Sequence, residues 1–131
     1  MILVDATVPM YLVGAASPLK DEARRLLEEC INRGDRLVTD VEALEEILHR
    51  YRVIRRPGAI QPCFDALLGV VDEVFPVEPD DVAQAKDLML GLVPLTARVA
   101  LHTAVMRRRG VSRVMSFDPE FDAVGWVERL R

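Results

Sequence analysis

Lysine is nearly missing from this chain. Of its 17 basic residues only Lys20 and Lys86 are lysine, and the rest are arginine. Against 21 Asp and Glu this leaves a formal net charge of −4, so a nucleic-acid partner would have to be held by local arginine clusters and not by the overall field. Aromatics are scarce at seven, which disfavours a β-sandwich and, with abundant Ala, Val and Leu, favours helices packed on a sheet. The two cysteines, Cys30 and Cys63, form no C-x-x-C pair and read as packed thiols. No apolar stretch reaches the roughly 18 residues of a membrane span, and residues 1–5 carry no basic leader, so the expectation is a cytoplasmic chain with no membrane partner. Also missing are a G-x-S-x-G elbow, a phosphate-binding G-x-x-x-x-G-K-[ST] loop and a G-x-G-x-x-G turn, which argues against serine hydrolases, P-loop enzymes and dinucleotide enzymes.

What is present alternates between short apolar runs and helical periods. Ile2-Leu3-Val4 ends in Asp5 and reads as a buried parallel strand, with a short helix around Val8 to Leu12. Ser17-Pro18 opens a helix whose apolar stripe is Leu19, Ala23, Leu26, Leu27, Cys30 and Ile31, stopped by Gly34. Arg36 to Thr39 is a second strand, and Thr39-x-x-Glu42 a capping-box pattern before a helix with Val41, Leu44, Leu48 and Tyr51 on one stripe. A helix over 60–71, a strand over 73–77 demoted to an edge by Pro76, and a helix from Pro79 to about Leu90 follow. Thr96 caps a helix running to Arg109, closed by Gly110. Arg113 to Phe117 is a strand, and a short last strand falls within 125–130. These elements predict one α/β domain over residues 1–131, a sandwich whose mostly parallel sheet of four or five strands is flanked by helices.

Ligands of open α/β sheets sit beyond the carboxyl ends of the strands. Asp5, Asp40 and Asp118 fall there, while Glu42 and Glu46 share a helix face at i and i+4. Clustered carboxylates repel unless a cation lies among them, and oxygen donors without a His or Cys cluster suit Mg²⁺ or Mn²⁺ better than zinc. For Asp40 a capping or turn role is the stronger reading. Asp5 and Asp118 stand evenly between turn residue and ligand. His49 and His102 lack ligand spacing and read as packed or surface residues, and Trp126 reads as core.

Met-Ile-Leu-Val-Asp-Ala-Thr at the start, Leu44-Glu45-Glu46-Ile47-Leu48, Ala100-Leu101-His102-x-Ala104-Val105 and Ser116-Phe117-Asp118-Pro119-Glu120-Phe121 together resemble the PIN domain, and within it the VapC-type ribonuclease toxins of toxin–antitoxin pairs. The resemblance spans nearly the whole chain. It implies a metal-dependent endoribonuclease that hydrolyses RNA with a metal-activated water, using Mg²⁺ or Mn²⁺ held by Asp5, Glu46 and Asp118. It also implies accessory roles for Thr7, Glu42 and Asp122, a VapB-type antitoxin as partner, and a homodimer.

One position departs from the family pattern. Where the resemblance leads one to expect an acid opening the late helix, the segment here is Ala97-Arg98-Val99-Ala100-Leu101-His102. Helical phase marks the same position, since Val99 points away from the stripe of Ala97, Ala100, Leu101, Ala104 and Val105. Either Val99 packs on a second buried face or it replaces something polar. A valine cannot coordinate a cation, so impaired catalysis is the expectation, with a module that binds RNA or an antitoxin without cleavage as the alternative. The basic clusters at 49–56, with Arg55 and Arg56, and at 107–109 are candidate phosphate contacts, as is Arg98 beside the proposed site. A phosphoacceptor receiver domain is disfavoured because neither lysine ends a late strand.

Overall fold

A computed structural model describes residues 1–131. Five strands, β1 (Ile2–Val4), β2 (Leu37–Asp40), β3 (Glu73–Phe75), β4 (Arg113–Met115) and β5 (Glu128–Leu130), form one sheet in the order β3-β2-β1-β4-β5. Every neighbouring pair is parallel. The helices between them are α1 (Thr7–Val13), α2 (Pro18–Asn32), α3 (Val41–Val53), α4 (Ile60–Leu68), α5 (Pro79–Met89) and α6 (Ala97–Arg109). Tight 3₁₀ turns cover Pro57–Ala59 and Pro119–Ala123.

Strand alternation sends residues to two cores. Ile2, Val4, Leu37 and Met115 pack with Ala23, Leu26, Leu27, Ile47, Cys63 and Leu67 from α2, α3 and α4. Leu3, Val38 and Val114 face the other way, onto Ala85, Val99, Ala100, Val105 and Met106 of α5 and α6. Each large aliphatic side chain so buried contributes about 1.5–3 kcal/mol. Both cysteines are buried and free.

The helix ends follow local chemistry. Ser17 caps α2 by accepting the Lys20 N–H, with Pro18 in the first turn. Thr96 caps α6 by accepting the Val99 N–H, and Gly110 ends it at φ 69°, a left-handed conformation that suits glycine. The helix α3 is capped differently from the Thr39 capping box expected from sequence. Thr39 stays in β2 and its hydroxyl donates to the Val4 carbonyl at 2.7 Å, so Asp40 is the cap and accepts the Ala43 N–H at 3.0 Å. The buried stripe of α3 is Ala43, Ile47 and Tyr51, with Val41 and Leu48 exposed. On α2, Leu19 and Ile31 likewise lie outside the buried face. The helix expected over 60–71 stops at Leu68, and β3 is an edge strand that ends just before Pro76.

Trp126 is also a correction, being 38% exposed at the surface, with the Arg107 guanidinium 5.8 Å from its ring. Nor is the arginine run at 107–109 a free basic patch. Arg108 pairs with Asp81 and the Pro76 carbonyl, and Arg109 lies over the Phe75 ring.

Candidate active site

Connections leave the central strand β1 towards β2 and β3 on one side, while β4 and β5 lie on the other. The crevice beyond the carboxyl ends of β1 and β4 is therefore the switch point of the sheet, where such folds bind ligands. Asp5 and Asp118 arrive there because each follows closely on one of these strands.

Asp5 is fully buried, and both of its oxygens are used. Oδ1 accepts the Thr7 N–H at 2.8 Å and the Thr7 hydroxyl, and Oδ2 accepts the Ser116 hydroxyl at 2.6 Å. The Thr7 hydroxyl in turn accepts the Phe117 N–H, and the Ser116 hydroxyl accepts the Asp118 N–H. This network ties the end of β1 to the end of β4. Burial drives the Asp5 carboxyl above its ordinary range, against the lowering effect of His102 and these hydrogen bonds.

Glu46 reaches the crevice from α3. One oxygen pairs with Arg98 Nη1 at 3.1 Å, and the other is buried without a partner. Desolvation pushes the Glu46 carboxyl up to about 7, with Asp5 and Glu42 adding to the rise and Arg98 opposing it. Glu42, one turn earlier, is raised to about 6, again chiefly by burial. One Asp118 oxygen accepts the Glu120 N–H and the other accepts from Arg98 Nη2. The single guanidinium of Arg98 thus bridges Glu46 and Asp118. The start of α6, which presents it, is held by Glu120, whose carboxylate accepts from the Thr96 N–H and hydroxyl.

Sequence reasoning missed a second ion pair. His102 Nδ1 lies 2.7 Å from Asp40 Oδ2, and both side chains are fully buried. Burial alone would lower the imidazole pKa, but the charge and hydrogen bond of Asp40, with Asp5 and Glu46 beyond, raise it to about 9. Its Nε2 has no partner. The signal available in the sequence was placement: Asp40 ends the strand next to β1, and His102 lies one helical turn beyond Val99.

Val99 itself is 0% exposed and packs in the core beneath α5 and α6. It packs on a second buried face, because α6 is enclosed on nearly all sides. Of the accessory candidates, Thr7 and Glu42 line the crevice. Asp122 does not, being exposed and paired with Arg129.

The crevice opens into a cleft of about 1010 Å³. Glu42, Glu46, Arg98 and Asp118 line one part of it, and His49, Arg50 and Arg56 another. Arg55 is exposed at φ 58° and does not line the cleft.

The donor chemistry, hard carboxylate oxygens, matches Mg²⁺ or Mn²⁺. The arrangement does not fit a metal as it stands. No group of three or more His, Cys, Asp or Glu side chains converges as metal ligands, both Asp5 oxygens already accept hydrogen bonds, and the cation between Glu46 and Asp118 is Arg98.

Comparison with known proteins identifies the family and the fold. The PIN domain family profile matches residues 2–127. The chain is 55% identical over 130 residues to Ribonuclease VapC13 of Mycobacterium tuberculosis, covering 99% of each chain. To Ribonuclease VapC23 of the same organism it is 42% identical over 118 residues, covering 90% of this chain and 93% of the relative. Among solved structures, Mycobacterium tuberculosis VapC20, described as a Sarcin-Ricin loop cleaving toxin, superposes with a TM-score of 0.80 at 25% identity, covering 98% of both chains.

Proposed function

Because the chain belongs to the PIN domain family and is of the VapC type, we propose that it is built as a Mg²⁺- or Mn²⁺-dependent endoribonuclease toxin of a toxin–antitoxin pair, and that valine at residue 99, where an acid is expected, makes it a poor catalyst as the sequence stands. The observation that carries this reading is the crevice itself. Arg98 bridges Glu46 and Asp118 there, Asp5 lies buried at the end of β1, and Val99, packed in the core, supplies no further oxygen.

The chain's own residues have separable tasks in this reading. Asp5, locked by Thr7 and Ser116, fixes the spacing of the β1 and β4 ends. Glu46 and Asp118 supply the negative charge, and the buried Asp40–His102 pair holds α3 against α6 beneath them. RNA would enter along the cleft, with Arg50 and Arg56 taking phosphates. This narrows the basic cluster, since Arg55 lies outside the cleft. Neutralising Arg50 and Arg56 together should weaken single-stranded RNA binding and make the salt slope shallower by about 1.4, roughly 0.7 for each phosphate left without its arginine. A VapB-type antitoxin and a second copy of the chain remain the partners proposed from the family.

The experiment is Val99→Asp, assayed for divalent-ion-dependent RNA cleavage beside the parent. We expect little or no cleavage by the parent and a clear gain in the variant. Equal activity would refute the impairment. RNA binding with no cleavage by either protein would favour the alternative, a PIN module that binds RNA or its antitoxin without turnover, which the unconverged acids also support.

A further inference from the structure

We propose that Arg98 is a resident cation of this site, a built-in competitor that a divalent ion must displace before it binds. The proposal rests on the metal-site reading above and goes beyond it by assigning the residue that controls occupancy.

The contacts are specific. Arg98 is the second residue of α6, and its two terminal nitrogens are divided between Glu46 of α3 and Asp118 after β4, so one planar group cross-links the two elements that carry the acids. Its side chain is 31% exposed, against 12% for Glu46 and 14% for Asp118, so the bridge lies at the mouth with the carboxylates beneath it. The helix start is pre-set for this, because Glu120 clamps Thr96 and Thr96 caps α6 at Val99. Arginine does not exhaust the site. The second Glu46 oxygen is buried with no hydrogen-bond partner, and the Arg98 Nε is likewise unpartnered.

Two cations of the same site exclude one another by charge and by space. A guanidinium between Glu46 and Asp118 supplies the positive charge those acids need when no ion is bound, and takes up the oxygens an ion would need. With valine at residue 99 there is no further carboxylate to tip the exchange towards the ion. The nearby His102, paired to Asp40, adds positive charge below the acids and acts in the same direction.

Mn²⁺ binding, followed by the electron paramagnetic resonance signal of the free ion, tests this on four full-length proteins: the parent, Arg98→Gln, Val99→Asp and the double variant. We expect Arg98→Gln to raise Mn²⁺ affinity at least tenfold in both backgrounds, and Mn²⁺ to raise its melting temperature more than it raises the parent's. If Arg98→Gln folds only when Mn²⁺ is present, that recovery is itself the expected result, and Arg98→Lys, a point charge unable to bridge both carboxylates in the same way, should give intermediate affinity. If Val99→Asp binds Mn²⁺ but removing Arg98 changes affinity less than twofold or weakens it, the competitor role is overturned and the metal site stands. If none of the four binds Mn²⁺, the metal-site reading is overturned and the competitor with it.

Discussion

With divalent ions chelated, the protein should become less stable as pH rises from about 6.5 to about 9, and His102 should be the main cause. Its imidazole is held protonated by Asp40 up to about 9, whereas an unfolded histidine titrates near 6.5. A raised folded-state pKa means stability that is fully present below the unfolded value and is lost as pH climbs through the folded one. The difference of about 2.5 pH units, at about 1.4 kcal/mol each, amounts to about 3 kcal/mol. Glu46, raised to about 7, and Glu42, raised to about 6, run in the same direction at lower pH, because carboxyls held above their ordinary values also lose stability as they ionise.

The perturbation that isolates His102 is His102→Gln, which keeps an N–H for Asp40 but removes the charge. Urea unfolding followed by circular dichroism in chelator, at intervals from pH 6 to 10, should show the parent about 3 kcal/mol more stable than the variant near pH 6 and the gap closing by pH 10. Against the ~5–15 kcal/mol total of a typical domain, that gap is easily read. A gap that stays constant across the range would mean His102 is neutral in the folded protein and the buried ion pair is misassigned.

Two further outcomes test the scaffold away from the crevice. Arg108→Ala strips the partner from Asp81, whose side chain is only 2% exposed, and should cost about 3 kcal/mol at neutral pH. Because Arg108 holds the Asp81 carboxyl below its ordinary range, the deficit should shrink as pH falls below about 4, and a deficit independent of pH would count against the pair. Arg55→Gly relieves a left-handed residue at φ 58°, directly after α3, and should raise the midpoint of thermal unfolding by the equivalent of about 0.5–1 kcal/mol, with no gain refuting the strain.

Much of this architecture was legible because short-range chemistry and long-range packing agree. Pro18 behind Ser17, Gly110 behind an arginine-rich last turn and two strands that end in or beside Asp each carry a local reason to form where they do. Errors arose where two local reasons competed. Thr39 and Asp40 are both good caps, and the parallel ladder decided between them by drawing the Thr39 hydroxyl onto Val4. Trp126 was misplaced because its size suggests burial, whereas its setting beyond the 3₁₀ turn leaves it at the rim beside Arg107. That Asp5 and Asp118 lie beyond the ends of β1 and β4 was legible from the apolar runs before them. The partners of Asp40 and Arg98 were not, because the residues in each pair lie 20 to 62 positions apart and meet only once α6 has packed.

Arg98 and Val99 make most sense taken together. Around the crevice stand five carboxyls, on Asp5, Asp40, Glu42, Glu46 and Asp118, with Arg98 and protonated His102 as the cations paired among them. Burial is the chief reason that the carboxyls of Glu42 and Glu46 lie above their ordinary values, with acidic neighbours adding to the rise. An acid at residue 99, in a position with no exposure, would add one more desolvated charge that neither cation could also satisfy. Valine removes that burden and joins the core with Leu3 and Val38. The folded state then holds its remaining acids with protein cations alone. A chain that had to recruit an ion to fold would gain stability from Mn²⁺ before any change at residue 98 or 99, whereas this one should gain little until Arg98 is removed or an acid is restored.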